Sequence, residues 1–412
     1  MIAGATTDFD VAIVGGGLVG ASLAVALRGT ALRVALIEAH APDSSAQPSF
    51  DERTTALGNA SRRVFEALGL WDSLRADAAA ITRIHVSDAG RFGFARLDAR
   101  EFDVPALGYV VPNRVLGRVL WAGLKAASTV VPFMPARLES LQVETNHAQL
   151  LLRAGDVTHS LSARLVIAAD GAQSVVRNAA GLSATVDDYD QQAVVAQLLM
   201  DQPHDGTAYE RFTAAGPMAL LPTVAPATSA ARTLVWAARP ADAARLLQLD
   251  DAAFLRAWQN AFGWRAGRAL RIGRRAAYPL TLSRSSGSVA HRIALLGNAS
   301  QALHPVAGQG FNLGLRDAAE LAQLLVAQPG DPGAPGLLAQ FEAQRAADRD
   351  GVVRFTDTLV RVFADERPAV AGLRDAGLLL FDLLPPAKRA LSRVSLGFGR
   401  RSPRLARGLP LS

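Results

Sequence analysis

Residues 15–20 read Gly-Gly-Gly-Leu-Val-Gly and fit the spacing G-x-G-x-x-G. Glycines at Gly15, Gly17 and Gly20 let a chain turn tightly after a strand, approach a pyrophosphate with its backbone, and pack a helix closely on that strand. The helix start then offers unpaired N–H groups and a positive dipole end to phosphate oxygens. Glu38 follows 23 residues after Gly15. A carboxylate at the end of the next strand can accept the ribose hydroxyls of an adenosine. The pattern predicts a dinucleotide site and does not separate FAD from NAD.

Two further segments have the same strand-to-loop character. Residues 164–177, RLVIAADGAQSVVR, end a strand in Asp170-Gly171, with Ser174 and Arg177 following. Residues 293–317, IALLGNASQALHPVAGQGFNLGLRD, lead a strand through a glycine- and proline-rich loop into a helix. The seven histidines show no H-x-x-x-H pair, so no metal site is expected, and neither a Walker A nor a G-x-S-x-G motif is present.

These residues need elements to hold them. The apolar run 9–14, the small-residue stretch 18–28 and the run 32–37 predict a strand, helix and strand around the first glycines. Residues 39–60 read as a loop and 60–75 as a helix. Alternating patterns over 81–97 and 193–238 predict antiparallel strands of a second domain. A helix over 251–262, a strand over 292–296 and a helix over 311–327 follow. Residues 328–336 form a linker, and the chain is helical from 337 onward.

Composition bounds the rest. At 412 residues, half of them hydrophobic, the chain is long enough for two domains and a large core. It has no cysteine, which excludes disulfides, cysteine-ligated zinc, iron–sulfur clusters and a thiol nucleophile. Neither a signal segment nor a transmembrane run is expected, so the expected location is the cytoplasm. The net charge of +6 is local: residues 385–412 hold seven basic and no acidic side chains, against 36 basic and 37 acidic elsewhere. A neutral body gives no support to nucleic-acid binding. The basic tail follows the apolar runs Leu378–Phe381 and Leu383–Leu384. That pairing suits a peripheral seat at the inner membrane, and equally a packed helix with a solvated tail.

The three motifs, in this order and separation, resemble the single-component aromatic hydroxylases that use FAD. Residues 51–71, 109–120, 209–222 and 275–282 also resemble the ubiquinone-biosynthesis hydroxylases. The run Gly297-Asn298-Ala299-Ser300-Gln301-Ala302-Leu303-His304-Pro305 is similar to the 2-polyprenyl-6-methoxyphenol hydroxylase branch. The resemblance covers roughly residues 8–400. It implies an α/β fold like para-hydroxybenzoate hydroxylase: a Rossmann FAD-binding domain, an inserted antiparallel-sheet substrate domain and C-terminal helices. The implied boundaries are 1–80, 105–185 and 282–350 for the FAD domain, 81–104 and 186–281 for the substrate domain, and 351–412 for the helical end with its basic tail.

The resemblance also implies the chemistry. NAD(P)H reduces FAD, O2 forms a flavin C4a-hydroperoxide, and oxygen passes to a phenol ring. The implied substrate is an aromatic carrying a polyprenyl chain. Alternatives are another ring position or aromatic, or a subunit of the biosynthetic complex that holds FAD without catalysis. The first motif would hold the ADP half of FAD, and Asp170 and Gly171 would bear on FAD and the nicotinamide. Asn298, Gly308, Gln309, Gly310 and Asn312 would hold the ribityl chain and ring, with backbone N–H groups of the Pro305–Gly310 loop facing N1. Most relatives carry Asp where Asn298 stands. Arg53 would contact the pyrophosphate or ring side, or else pair with Asp51 or Glu52. Arg114 and Arg118 are further candidates for FAD. His304 is a candidate base or proton relay, and equally a structural histidine. Tyr209 and Tyr278 are the other candidates for that proton.

Overall fold

A computed structural model describes residues 7–42, 44, 47–51, 53–125, 128–213, 215–226, 228–364, 367–384, 388 and 402–411. Apolar runs without alternation build its first sheet. Strands Ile293–Leu295, Val157–Ala168, Thr7–Val14, Val34–Ile37 and Val130–Phe133 lie side by side in that order, all parallel. Both faces are covered at the centre of the sheet, which is why the runs Val11–Val14, Val34–Ile37 and Leu165–Ala168 are apolar. Val11 and Ile13 join one core cluster, and Ala12 and Val14 the other. The helix Leu18–Leu27 crosses over from the first strand, and its residues from Gly20 to Leu27 are buried.

The second sheet has nine strands and alternates. Its path runs Gln301–Ala302, Ala276–Ser285, Ala184–Met200, Ala231–Ala238, Gly216–Pro222, Thr207–Thr213, Arg83–Asp88, Phe94–Asp98, and the ninth strand, Ala269–Ile272, pairs with Ala184–Met200 off that path. One face buries Met218, Leu220, Leu234 and Trp236 against Phe254, Trp258 and Phe262 of the helix Asp251–Phe262. The opposite face turns toward the glycine loops of the first domain.

The structure departs from the sequence expectations in several places. The expected loop 39–60 contains the strand Thr54–Gly58, the expected helix 60–75 is two helices, Asn59–Ala67 and Trp71–Arg75, and the expected boundary at 185 falls inside strand Ala184–Met200. Strand Thr207–Thr213 pairs with Arg83–Asp88 in parallel, so the sheet is not wholly antiparallel. Alternation fixes which face is buried but not which way a neighbour runs. The expected boundary at 281 falls inside strand Ala276–Ser285, and Gln301–Ala302 of the third motif adds an edge to the same sheet. The expected boundary at 350 falls inside a single thirty-residue helix, Pro335–Ala364.

That long helix is tied to the helix Gln309–Ala327 by buried charge. Arg345 donates to Asp317 at 2.6 Å, Arg349 donates to the other oxygen at 3.2 Å, and Arg316 donates to Asp348 at 2.9 Å. Asp317 and Arg345 are almost wholly enclosed. Burial disfavours a charged Asp348, but Arg316 and Arg345 outweigh it and hold the carboxyl below its usual range. Removing one partner from such a set leaves a charge uncompensated. Asp317→Ala is therefore expected to lower unfolding free energy by about 3–5 kcal/mol in urea titration.

Candidate active site

A cavity of ≈ 1060 Å³ opens between the two sheets. That is the upper end of the range for small-molecule sites. The glycine fingerprint lies at one end. An added Cβ at Gly20 would sit 1.9 Å from the Gly15 carbonyl oxygen, so helix and turn approach as closely as glycine permits. Glu38 is buried there, accepting from Gly16 N–H at 2.7 Å and His40 N–H at 2.9 Å. Trp121 Nε1 donates to the Gly16 carbonyl at 3.1 Å and braces the turn from behind.

Asp170 and Gly171 face the same space. Asp170 Oδ2 accepts from Val175 N–H at 2.8 Å and Val176 N–H at 3.3 Å, while buried Oδ1 has no partner among the described residues. Burial pushes this carboxyl up in pKa despite those donors. Arg177 does different work: it donates to the carbonyls of Ala172 and Ala299, stitching the second motif to the third.

The third motif forms the adjoining wall with Asn298, His304, Pro305, Gly308, Gln309 and Gly310. Gly308 sits at φ +59° and starts the helix Gln309–Ala327, a left-handed position that suits glycine. The helix N-terminus thereby points into the cavity. Asn298 is exposed to it. Asn312 also borders it, but its amide is fully engaged. Oδ1 accepts from Gly58 N–H at 2.8 Å and Ser61 Oγ–H at 2.6 Å, and Nδ2 donates to Ala56 O at 2.8 Å and Gly308 O at 2.7 Å. Its side chain positions the loop and has no group left to offer a ligand.

His304 is 1% exposed. Its Nδ1 accepts from Val306 N–H at 3.1 Å, so the neutral ring carries its proton on Nε2, which has no partner among the described residues. Burial lowers its pKa to about 4. In this state His304 is a donor, with Tyr189 packed edge-on at 5.2 Å. Tyr189 OH itself donates to Asp357.

Arg53 lines the cavity, pairs with Asp51 at 2.7 Å and lies 4.5 Å over the Tyr278 ring. Tyr278 OH donates to the same Asp51. The ion-pair reading of Arg53 is the one the structure shows, at a side chain that also borders the cavity. Arg114 and Arg118 do not join the site. Arg114 is exposed on the helix Asn113–Leu124, outside the cavity lining, and Arg118 pairs at the surface with Asp77. Helical position alone could not show which side these arginines take. Tyr209 borders the cavity, but its ring packs against His85 and Phe262 on the other face of the sheet. Sequence reasoning passed over Glu210 beside it, a carboxyl on the cavity wall.

The residues fit a bound dinucleotide. Asp170 Oδ1 is a buried acceptor awaiting a donor, and an added Cβ at Gly171 or Gly310 would meet no atom within 4 Å. The FAD binding domain family matches residues 8–356. The chain is 38% identical over 408 residues to the ubiquinone hydroxylase UbiL of Rhodospirillum rubrum, covering 98% of this chain and 93% of that protein. It is 31% identical to the 3-demethoxyubiquinol 3-hydroxylase of Escherichia coli, over 94% of this chain and 98% of that one. Among solved structures, p-nitrophenol 4-monooxygenase PnpA of Pseudomonas putida superposes with a TM-score of 0.78 at 19% identity, covering 96% of this chain and 100% of that one. It shares the fold.

Two outcomes follow from the geometry. Asn312→Ala strands the Gly58 N–H and two carbonyls, so it is expected to lose at least about 2 kcal/mol of stability and to release flavin at lower urea. An unfolded His304 takes its proton near 6.5 and the folded one near 4. Stability from this group is therefore whole above pH 6.5 and falls by up to ~3 kcal/mol as pH drops toward 4. His304→Asn is expected to flatten that part of the pH–stability curve, leaving the similar slope from His85.

Proposed function

This chain belongs to the FAD-dependent hydroxylase family of ubiquinone biosynthesis, and we propose that it hydroxylates a polyprenylated methoxyphenol, with NAD(P)H as reductant and O2 as oxygen source. It is an FAD-dependent aromatic monooxygenase. The preferred substrate is 2-polyprenyl-6-methoxyphenol, hydroxylated para to its hydroxyl. The observation that carries this reading is the two-ended cavity. One end is the glycine cradle with Glu38 and Asp170. The other is apolar, walled by Phe355, Leu359 and Phe363 of the long helix and Leu378 and Phe381 of the helix Pro368–Leu383.

When bound, FAD supplies the redox chemistry that activates O2. The chain's own residues do the rest. The fingerprint N–H groups would hold the pyrophosphate, Glu38 the ribose, and Asp170 Oδ1 a cofactor hydroxyl. The N-terminus of the helix Gln309–Ala327 would place its positive end where an anionic ring could use it. His304 Nε2–H is a buried donor in the same wall. The apolar strands keep water from the reacting atoms.

The helix Pro368–Leu383 also supports a lipid-borne substrate. Leu373, Leu380 and Leu383 are 75%, 58% and 74% exposed, and the small residues Ala376 and Gly377 fill the same flank. Such a stripe suits the acyl boundary of a bilayer. Its other flank carries Leu378 and Phe381 into the cavity. Among the described residues, no helix is long and apolar enough to cross a membrane. Of the basic tail 385–412, only 388 and 402–411 are among the described residues. Lys388 is buried against Asp382 and Glu101, and Leu405 and Ala406 are buried near the chain end.

A second reading is hydroxylation at another ring position, which the name of the Escherichia coli relative supports. Mass spectrometry of quinone intermediates in a deletion strain separates the two, since each leaves a different unhydroxylated ring. Unchanged ubiquinone, with no second hydroxylase present, would overturn both. Replacing Leu373, Leu380 and Leu383 together by Glu is expected to abolish liposome sedimentation while turnover of a short-chain soluble phenol persists.

A further inference from the structure

We propose that Glu210 is the catalytic base that takes the phenolic proton of the substrate; the inference rests on the hydroxylase reading above. Glu210 lies in mid-strand, level with Ala219 on one side and Val86 on the other. Alternation turns it away from Tyr209 and onto the face of Ala208 and Phe212. Phe212 packs against Val306, in the same loop as His304 and Pro305. Glu210 therefore stands on the substrate-side wall, near the third motif.

Its surroundings are apolar. Val86 and Ala219 flank it in the sheet, and Phe363 of the long helix packs on Phe212. No cation and no hydrogen-bond donor among the described residues pairs with its carboxyl, and burial alone raises its pKa to about 7. The other titratable groups around this wall are already committed. Asp88, level with Phe212, is held by Arg374. Tyr189 OH is given to Asp357. His304 could accept a proton only by surrendering Val306 N–H, or by charging a ring that burial keeps neutral. Tyr278 OH is given to Asp51. A carboxyl without a partner in an apolar wall weakens the fold and supplies it no contact. Chemistry at the cavity gives it a use.

The step is a proton transfer and no electrons change hands. The phenol O–H bond breaks, the proton goes to a Glu210 oxygen, and the bonding pair stays on the phenol oxygen and enriches the para carbon. After that carbon has gained its oxygen it passes its own proton to solvent water, and the C–H bonding pair returns to the ring as it becomes aromatic again. Glu210 returns the first proton to the phenol oxygen, which restores the hydroxyl and the carboxylate.

The test uses FAD-loaded protein and two readouts. Glu210→Gln is expected to slow product formation about 100-fold. NAD(P)H oxidation then yields hydrogen peroxide instead. The wild-type rate of product formation should rise through pH 7 and that of the variant should not. The second readout needs no turnover. A nitrophenol bound in the cavity is titrated by its phenolate absorbance. Ionised Glu210 opposes the phenolate charge, so bound nitrophenol should ionise about one pH unit lower in Glu210→Gln. Glu210→Asp should restore part of both signals. Equal product rates and pH profiles in wild type and Glu210→Gln, or equal nitrophenol titrations, overturn the proposal and leave the hydroxylase reading standing. A wild type that hydroxylates no phenol overturns that reading, and the role of Glu210 with it.

Discussion

The aim of one helix N-terminus depends on a single side-chain amide. Asn312 joins its own helix to the strand Thr54–Gly58 and the helix Asn59–Ala67, parts of the chain some 250 residues apart. All four of its hydrogen-bonding positions are used. Each bond contributes little by itself, yet each buried group would be expensive to leave unmade. The clamp therefore has a narrow tolerance. It fixes the Gly308 turn, which fixes the direction of the helix, which decides where positive potential falls in the cavity. The buried Asp317–Arg345–Asp348 set holds the same helix from its other side.

Between these two restraints the cavity is electrically asymmetric. Its dinucleotide end is lined with backbone N–H groups and carboxylates that accept them. Its far end is aromatic and aliphatic, and two titratable groups sit at the junction with their ordinary behaviour inverted. His304 stays neutral where an exposed histidine would begin to charge. Glu210 holds a proton at pH values where an exposed carboxyl would have lost it. Desolvation moves both in the direction that suppresses charge. A dry site and a pair of shifted proton affinities are one property seen twice.

Local patterns were legible in the sequence. Gly15, Gly17, Gly20 and Glu38 act within one strand–turn–helix–strand unit, so spacing alone places them. The unbroken apolar runs announced strands buried on both sides. What could not be read was set by distant parts of the chain. Asn312 looked like a ligand contact because it follows a glycine loop; its partners at 56–61 are invisible to spacing. Arg114 and Arg118 sit on a helix whose rotation is decided by Val115, Leu116, Val119 and Leu120, all buried. Glu210 lies in the segment 209–222 that resembles the family, yet spacing gives it no role there; its meaning comes from lacking a partner, which only a packed neighbourhood can reveal. The parallel pairing of Thr207–Thr213 with Arg83–Asp88 is likewise a matter of topology.

The short strand Gln301–Ala302 has a mechanical consequence. It belongs to the loop that carries His304, yet it is hydrogen-bonded into the substrate sheet beside Ser283 and Arg284, with Ser285 N–H given to Ser300. The two domains thus share a seam at the place where they would otherwise hinge. Parting them like the covers of a book would tear this seam first. A reactant passing Leu378 and Phe381 of the helix Pro368–Leu383, where they border the cavity, need not part this seam.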